Sequence, residues 1–165
     1  MSSLNDWLTL VNLFFGGTAT GALLFELLVL VPSMNRQPTE TSALIHRLVL
    51  GELDLPMRVL PPSSILCGLS GLVILLTKSH QSTTFTVLYL VAVVAMAIMG
   101  ISTATLSHPI NIAISKWPIE SLQSIETVPS EYPAMRRRWD RVMVMRSALG
   151  VGAFICFLIA NINAS

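Results

Sequence analysis

The chain has 165 residues, of which 53% are hydrophobic and only 12% charged, with a mean hydropathy of +0.70 and a formal net charge of +1. Soluble domains carry about 25% charge, so a chain this short and this poor in charge excludes a water-soluble core and points to one membrane domain, residues 1–165. The near-neutral balance argues against nucleic acid or an acidic macromolecule as partner and leaves the lipid bilayer as the first one.

A first apolar run extends from Trp7 to Val31. Asp6 is the only charge before it, so the basic segment of a cleavable signal is missing, and the run reads as a permanent first span. Its middle, Gly16-Gly17-Thr18-Ala19-Thr20-Gly21-Ala22, is almost all small; Gly17 and Gly21, four apart, let a neighbouring backbone approach, a bundle-packing feature. Glu26 lies inside the run, where a carboxylate must be protonated, paired or hydrated. Pro32, Pro38 and the polar residues 33–41 predict a loop.

Residues 42–55 place Leu44, Ile45, Leu48, Val49 and Leu53 at helical spacing among His46, Arg47, Glu52 and Asp54, which predicts a short amphipathic helix lying at the interface or against the bundle. His46 reads as a surface residue of that helix. Pro56 ends it or bends it into span 2, residues 57–77, whose first turns contain Pro61-Pro62 and predict an irregular start. Lys78 to Thr84 reads as a short polar turn carrying a solvated His80, and span 3 follows over residues 85–106. Ser107 to Arg141, with Pro109, Pro118, Pro129 and Pro133, reads as a long connection, and span 4 covers residues 142–160. The fold class expected is therefore all-α: a four-helix transmembrane bundle with a short amphipathic helix between spans 1 and 2. Cys67 and Cys156 lie inside apolar runs and read as core residues, not a disulfide framework.

Basic residues fix an expected orientation. Arg36, Arg47, Arg58, Lys116, Arg136, Arg137, Arg138, Arg141 and Arg146 belong to one side and Lys78 to the other, which predicts a multi-pass protein of the cell inner membrane with both termini extracytoplasmic. Arg136-Arg137-Arg138 with Arg141 reads as a topology signal that also attracts anionic lipid heads, and Trp139 as an interface anchor.

On this topology Glu26, roughly 8 Å before the end of span 1 at the helical rise, comes to the same depth as Arg58, His108, Asn111 and Arg146. Arg58 and Arg146 are the arginines able to pair with the carboxylate. Such a cluster either locks helix register or lines a polar pocket for a flat lipophilic molecule bearing a few oxygens. His108 is the candidate general base. Glu26, His46, Glu52 and His108 lack the spacing of a metal motif, and Met96, Met99, Met143 and Met145 read as packing; no metal site is expected.

Two stretches carry a family resemblance. Ser107-His108-Pro109-Ile110-Asn111-Ile112-Ala113-Ile114 followed by Trp117, and Arg136 to Arg146 (RRRWDRVMVMR), resemble the Pro-x-Asn and Arg-Trp segments of the anthrone oxygenase-like membrane family; the small-residue first helix and Asp54-Leu55-Pro56-Met57-Arg58 also fit. The resemblance implies a four-helix membrane bundle that oxidises an anthrone to an anthraquinone with O2, as in aromatic polyketide chemistry, without bound metal or flavin. It puts Asn111, Trp139 and Arg146 at motif positions. Where many bacterial relatives carry His three residues before the arginine this chain has Met143; His108 would then be the base, Arg146 and Arg58 the oxyanion-stabilising groups, and Glu26, Asn111 and Trp139 the substrate-side residues. The alternatives are a non-catalytic membrane scaffold, and a small transporter, for which no inverted repeat is visible.

Overall fold

In this computed structural model residues 4–77, 83–122, 124 and 126–162 are described; of these, the side chains of residues 4–6, 50–58, 74–75, 77 and 162 are not. The expected turn around Lys78 and His80, and the side chains of Glu52, Asp54 and Arg58, lie outside the described set.

Four long helices make up most of the described residues. Helix α1 covers residues 4–35, as Leu4–Phe25, a wide π-turn at Glu26–Leu30, and Val31–Asn35. Helix α2 is Thr39–Thr77. Helix α3 covers residues 83–115, as Thr83–Ser102, a second π-turn at Thr103–Ser107, and His108–Ser115. After a short 3₁₀ turn at Ile119–Leu122, helix α4 runs over Tyr132–Ile162. Each helix packs on the next and α4 closes onto α1, an all-α, up-and-down bundle.

Three helical stretches are long and apolar enough to cross a membrane: Trp7–Asn35, Thr83–Ser115 and Tyr132–Asn161; α2 adds the shorter apolar segment Val59–Val73. The outer surface agrees. Phe14, Leu28, Leu66, Leu76 and Ile101 are exposed, while Asn12, Thr20, Glu26, His46, Ser64, Ser107 and Arg146 are buried. Apolar side chains outside and polar ones within is the arrangement a bilayer selects, and the chain is a multi-pass membrane protein.

The amphipathic segment is helical as expected, and continuous with the apolar part of α2: neither Pro56 nor Pro61-Pro62 breaks the helix. In apolar surroundings a freed backbone group has no water to turn to, so helix on both sides of each proline remains the lowest-cost arrangement. The long connection is shorter than residues 107–141 suggested. Helix α3 continues to Ser115 and α4 starts at Tyr132.

Pro109 does not end α3 because a π-turn precedes it. Proline lacks an N–H and its ring pushes against the carbonyl four residues back. Here the His108 N–H bonds the Thr103 carbonyl, five residues back, and Val31 does the same with Glu26 immediately before Pro32. Upstream, Ser102, Thr103 and Thr105 donate their hydroxyls to the carbonyls of Ile98, Met99 and Ile101 at 2.7–2.8 Å, back-bonding that bends helices.

Polar ties cross the bundle. Thr20 donates to the Gly150 carbonyl (3.1 Å) and Ser147 to that of Leu23 (3.3 Å), joining α1 to α4. Toward the opposite end Ser64 donates to Asn12 Oδ1 (2.8 Å) and Asn12 Nδ2 to Tyr89 Oη (3.5 Å). Of the small residues in α1, Gly17 admits the Phe154 ring, 3.1 Å from where a Cβ would stand; Gly21 is exposed and meets nothing within 4 Å. The expected close approach is therefore made at Gly17 and not at Gly21.

Candidate functional site

The end of the bundle where α1 and α3 finish and α2 and α4 begin carries two tiers of buried polar groups. Helix α4 presents both, because Tyr132, Arg136, Trp139, Met143 and Arg146 recur at three- and four-residue intervals and share its buried face.

The inner tier centres on Arg146, which is 3% exposed. Its Nη1 donates to Ser107 Oγ (3.1 Å) and lies 3.4 Å from Met143 Sδ. Glu26, also 3% exposed, is close enough for the arginine's charge to act on its carboxyl group. Both π-turns serve this tier: Glu26 opens the first and Ser107 closes the second, and such turns often mark functional positions.

The outer tier spreads from Arg136. Its Nε donates to Asp140 Oδ1 (2.8 Å), Nη2 to Asn35 Oδ1 (3.3 Å) and Nη1 to Ser42 Oγ (3.4 Å), with Met34 Sδ at 3.2 Å. The hydroxyls of Ser42 and Tyr132 share a 3.0 Å bond. The Arg136 guanidinium also stands 5.3 Å from the centre of the Trp139 ring, a cation–π distance. Beside these groups His46 Nε2 donates to Asn111 Oδ1 (3.3 Å), and its ring lies 5.0 Å from that of Trp139 and 6.1 Å from that of Tyr132. Arg47 caps α3 by donating Nε to the Ser115 carbonyl (3.3 Å). A cavity of about 230 Å³ opens here, lined among others by Ser42, Tyr132, Arg136 and Asp140.

The expected convergence thus divides. Glu26 and Arg146 meet in the inner tier, Asn111 and Trp139 stand in the outer one with His46, and half-buried His108 directly follows the Ser107 that Arg146 bonds. The Arg58 side chain is outside the described residues. Residues 53–156, more than half of the chain, match the sequence model of the anthrone oxygenase family. The chain belongs to the anthrone oxygenase family. No curated protein and no solved structure matches it.

Of the site residues of this anthrone oxygenase family member, His108, Asn111, Trp139 and Arg146 fall inside the matched segment, while Glu26, Ser42 and His46 precede it. Among the described residues no three His, Cys, Asp or Glu side chains are grouped to hold a metal ion. Met96, Met99 and Met143 are buried packing residues, Met145 is turned outward, and the two cysteines are unpaired and half-buried.

Three residues differ from their sequence reading. Trp139, expected at the interface, is 1% exposed; Arg136, read as part of a basic cluster attracting anionic lipid heads, is buried; His46, read as a surface residue, is 1% exposed. Ser42 and His46 turn inward while Leu48 and Val49 turn outward, the reverse of a soluble helix. Burial pushes the His46 imidazole down to about 4; the bond to Asn111 opposes this, and the Arg136 charge adds to it. A neutral imidazole favoured by folding gives stability that is complete above about pH 6.5 and is lost as pH falls toward 4, because only the unfolded chain takes up the proton in that window. From 6.5 to about 4, at about 1.4 kcal/mol per pH unit, the loss is about 3 kcal/mol. The thermal midpoint in detergent should fall between pH 7 and pH 4.5, and the fall should be smaller in His46→Gln; parallel profiles would remove His46 as its source.

Proposed function

We propose that this protein oxidises a planar, lipophilic carbon acid of the anthrone type with O2, at the two-tier polar end of its bundle. The observation that carries the reading is the burial of Arg146 with Glu26 beside it, in a chain of the anthrone oxygenase family. A fixed cation in a dry site stabilises an oxyanion far better than one in water, and needs no reorganisation when charge develops. An anthrone losing a methylene proton puts negative charge on its carbonyl oxygen, which is the charge Arg146 offers to meet, together with Arg58 on α2.

In the proposed reaction His108 takes the methylene proton. The resulting carbanion passes one electron to O2, the two radicals combine into a C–O bond, and the peroxide takes a proton to give a hydroperoxide. Loss of the second methylene hydrogen with cleavage of the O–O bond yields the quinone carbonyl and one water. Asn111 and Trp139 orient the ring system, and Glu26 holds Arg146 in place. The reaction as drawn uses O2 as its only oxidant and calls on no metal or flavin. By the positive-inside count the site opens to the cytoplasmic face of the inner membrane, with both termini opposite.

A second reading is a scaffold in which these groups only hold helix register, favoured by the Arg146–Ser107 bond, which already occupies part of the guanidinium. Purified protein with 1,8-dihydroxyanthrone and O2 separates the two. The wild type should oxidise the anthrone above the uncatalysed rate, with Arg146→Ala slower by about 10²–10³ and His108→Ala by about 10²–10⁴. No acceleration by the wild type, or equal rates in all three proteins, would leave the scaffold.

A further inference from the structure

Among the described residues two buried ring nitrogens have no hydrogen-bond partner, and they lie on neighbouring rings. His46 Nδ1 and Trp139 Nε1 are both inaccessible and unpartnered, on rings whose centres are 5.0 Å apart. Because Nε2 donates to Asn111 Oδ1, Nδ1 of the neutral ring carries the lone pair and can only accept. The indole N–H can only donate. Hiding either one without a partner disfavours the fold. Hiding both side by side leaves one acceptor and one donor ready for the same visitor.

The surroundings describe that visitor. His46, Tyr132 and Trp139 supply ring faces and edges, with Trp117 edge-on to Tyr132 at 6.1 Å, so the guest is flat and aromatic. The site lies at the end of an apolar bundle, so the guest is lipophilic. The cavity of about 230 Å³ lies beside the two rings without including them: its lining residues Ser42 and Arg136 stand one helical turn from His46 and Trp139 on α2 and α4, so a guest entering there has to push between the side chains to reach them. Tyr132 belongs to both places: it lines the cavity and packs edge-on to His46. The cavity is smaller than the roughly 300–1,000 Å³ that engulf drug-sized ligands. A fused tricyclic molecule would therefore insert one edge and leave the rest outside.

We propose that His46 and Trp139 form a recognition site for the hydroxylated edge of a polycyclic aromatic, with His46 Nδ1 accepting from a phenolic O–H and Trp139 Nε1–H donating to an oxygen on the same edge. The proposal rests on the oxygenase reading for its relevance to turnover and names the part of the substrate that reading left open, the free hydroxyl. Asn111 is then a positioning residue, because it fixes which histidine nitrogen bears the proton.

Binding tests this without turnover. The probes are 2-hydroxyanthraquinone, whose hydroxyl is too far from the carbonyls to bond internally, and 2-methoxyanthraquinone, which has no O–H to donate. Both are titrated by absorbance against the full-length protein in detergent at pH 6.5. The wild type should prefer the hydroxyl compound by about tenfold. His46→Gln keeps a donor for Asn111 but loses the ring lone pair; it should bind both compounds equally, at the wild-type affinity for the methoxy compound. That retained affinity reports that the variant is folded. Trp139→Phe should weaken both compounds. A preference unchanged in His46→Gln, or no preference in the wild type, overturns the site and leaves the two atoms to a trapped water. If selective binding holds while the anthrone assay is negative, the oxygenase reading falls and the site stands; oxidation with no hydroxyl preference has the opposite consequence.

Discussion

Arg146→Met is expected to lower the unfolding free energy by about 3–5 kcal/mol, because it leaves a carboxyl group buried with its counter-charge gone. Glu26 is 3% exposed and feels the Arg146 charge, while Ser107 would lose its guanidinium donor. The second substitution decides the cause. Glu26→Gln added to Arg146→Met removes the stranded carboxyl group, and the double variant should recover most of the loss, since replacing both members of a buried pair is often close to neutral. Thermal midpoints of the two single variants and the double variant complete the cycle. Additive losses would mean that the two groups do not interact. Activity should not follow stability: the double variant should be folded and inactive if Arg146 meets the oxyanion.

Trp139→Ala is expected to cost about 3–5 kcal/mol, the range for emptying a buried large aromatic position. The indole is 1% exposed and touches both the His46 ring and the Arg136 guanidinium. Trp139→Phe keeps most of the volume and the ring face and should cost less than half as much, although it deletes the N–H. Midpoints for the two variants should therefore separate by several degrees. Equal losses would show that the indole N–H, not the filled volume, holds this part of the bundle together.

The bundle was legible because bilayers write simple rules into sequence. Apolar runs marked the spans, and the basic residues grouped the helix ends that carry Glu26, Asn111 and Arg146. Depth was therefore recoverable, since a helix advances by a fixed rise per residue. Direction around the helix was not. His46, Arg136 and Trp139 were each assigned to a surface because charged and aromatic residues near a membrane boundary usually face water or lipid heads. In this protein Leu48 and Val49 take the outside and His46 the inside, and the sequence pattern is identical for both orientations. The one available signal was Ala43, small and one turn from His46 on the same face, where α2 is buried. Helix ends were misjudged for another reason. Proline is ordinarily a stop, but Ser102, Thr103 and Thr105 ahead of Pro109 supply hydroxyls that let the chain widen by one residue and continue.

That widening has a geometric effect on everything beyond it. One extra residue in a turn rotates the following stretch by about 100° relative to an unbroken α-helix. Met34 and Asn35, which contact Arg136, lie beyond the turn in α1, and Asn111, which holds His46, lies beyond the turn in α3. Shortening either turn by one residue would leave a smoother helix with those side chains swung aside. The two irregularities thus act as fixed wrist joints, aiming the last turns of two membrane helices at one shared target.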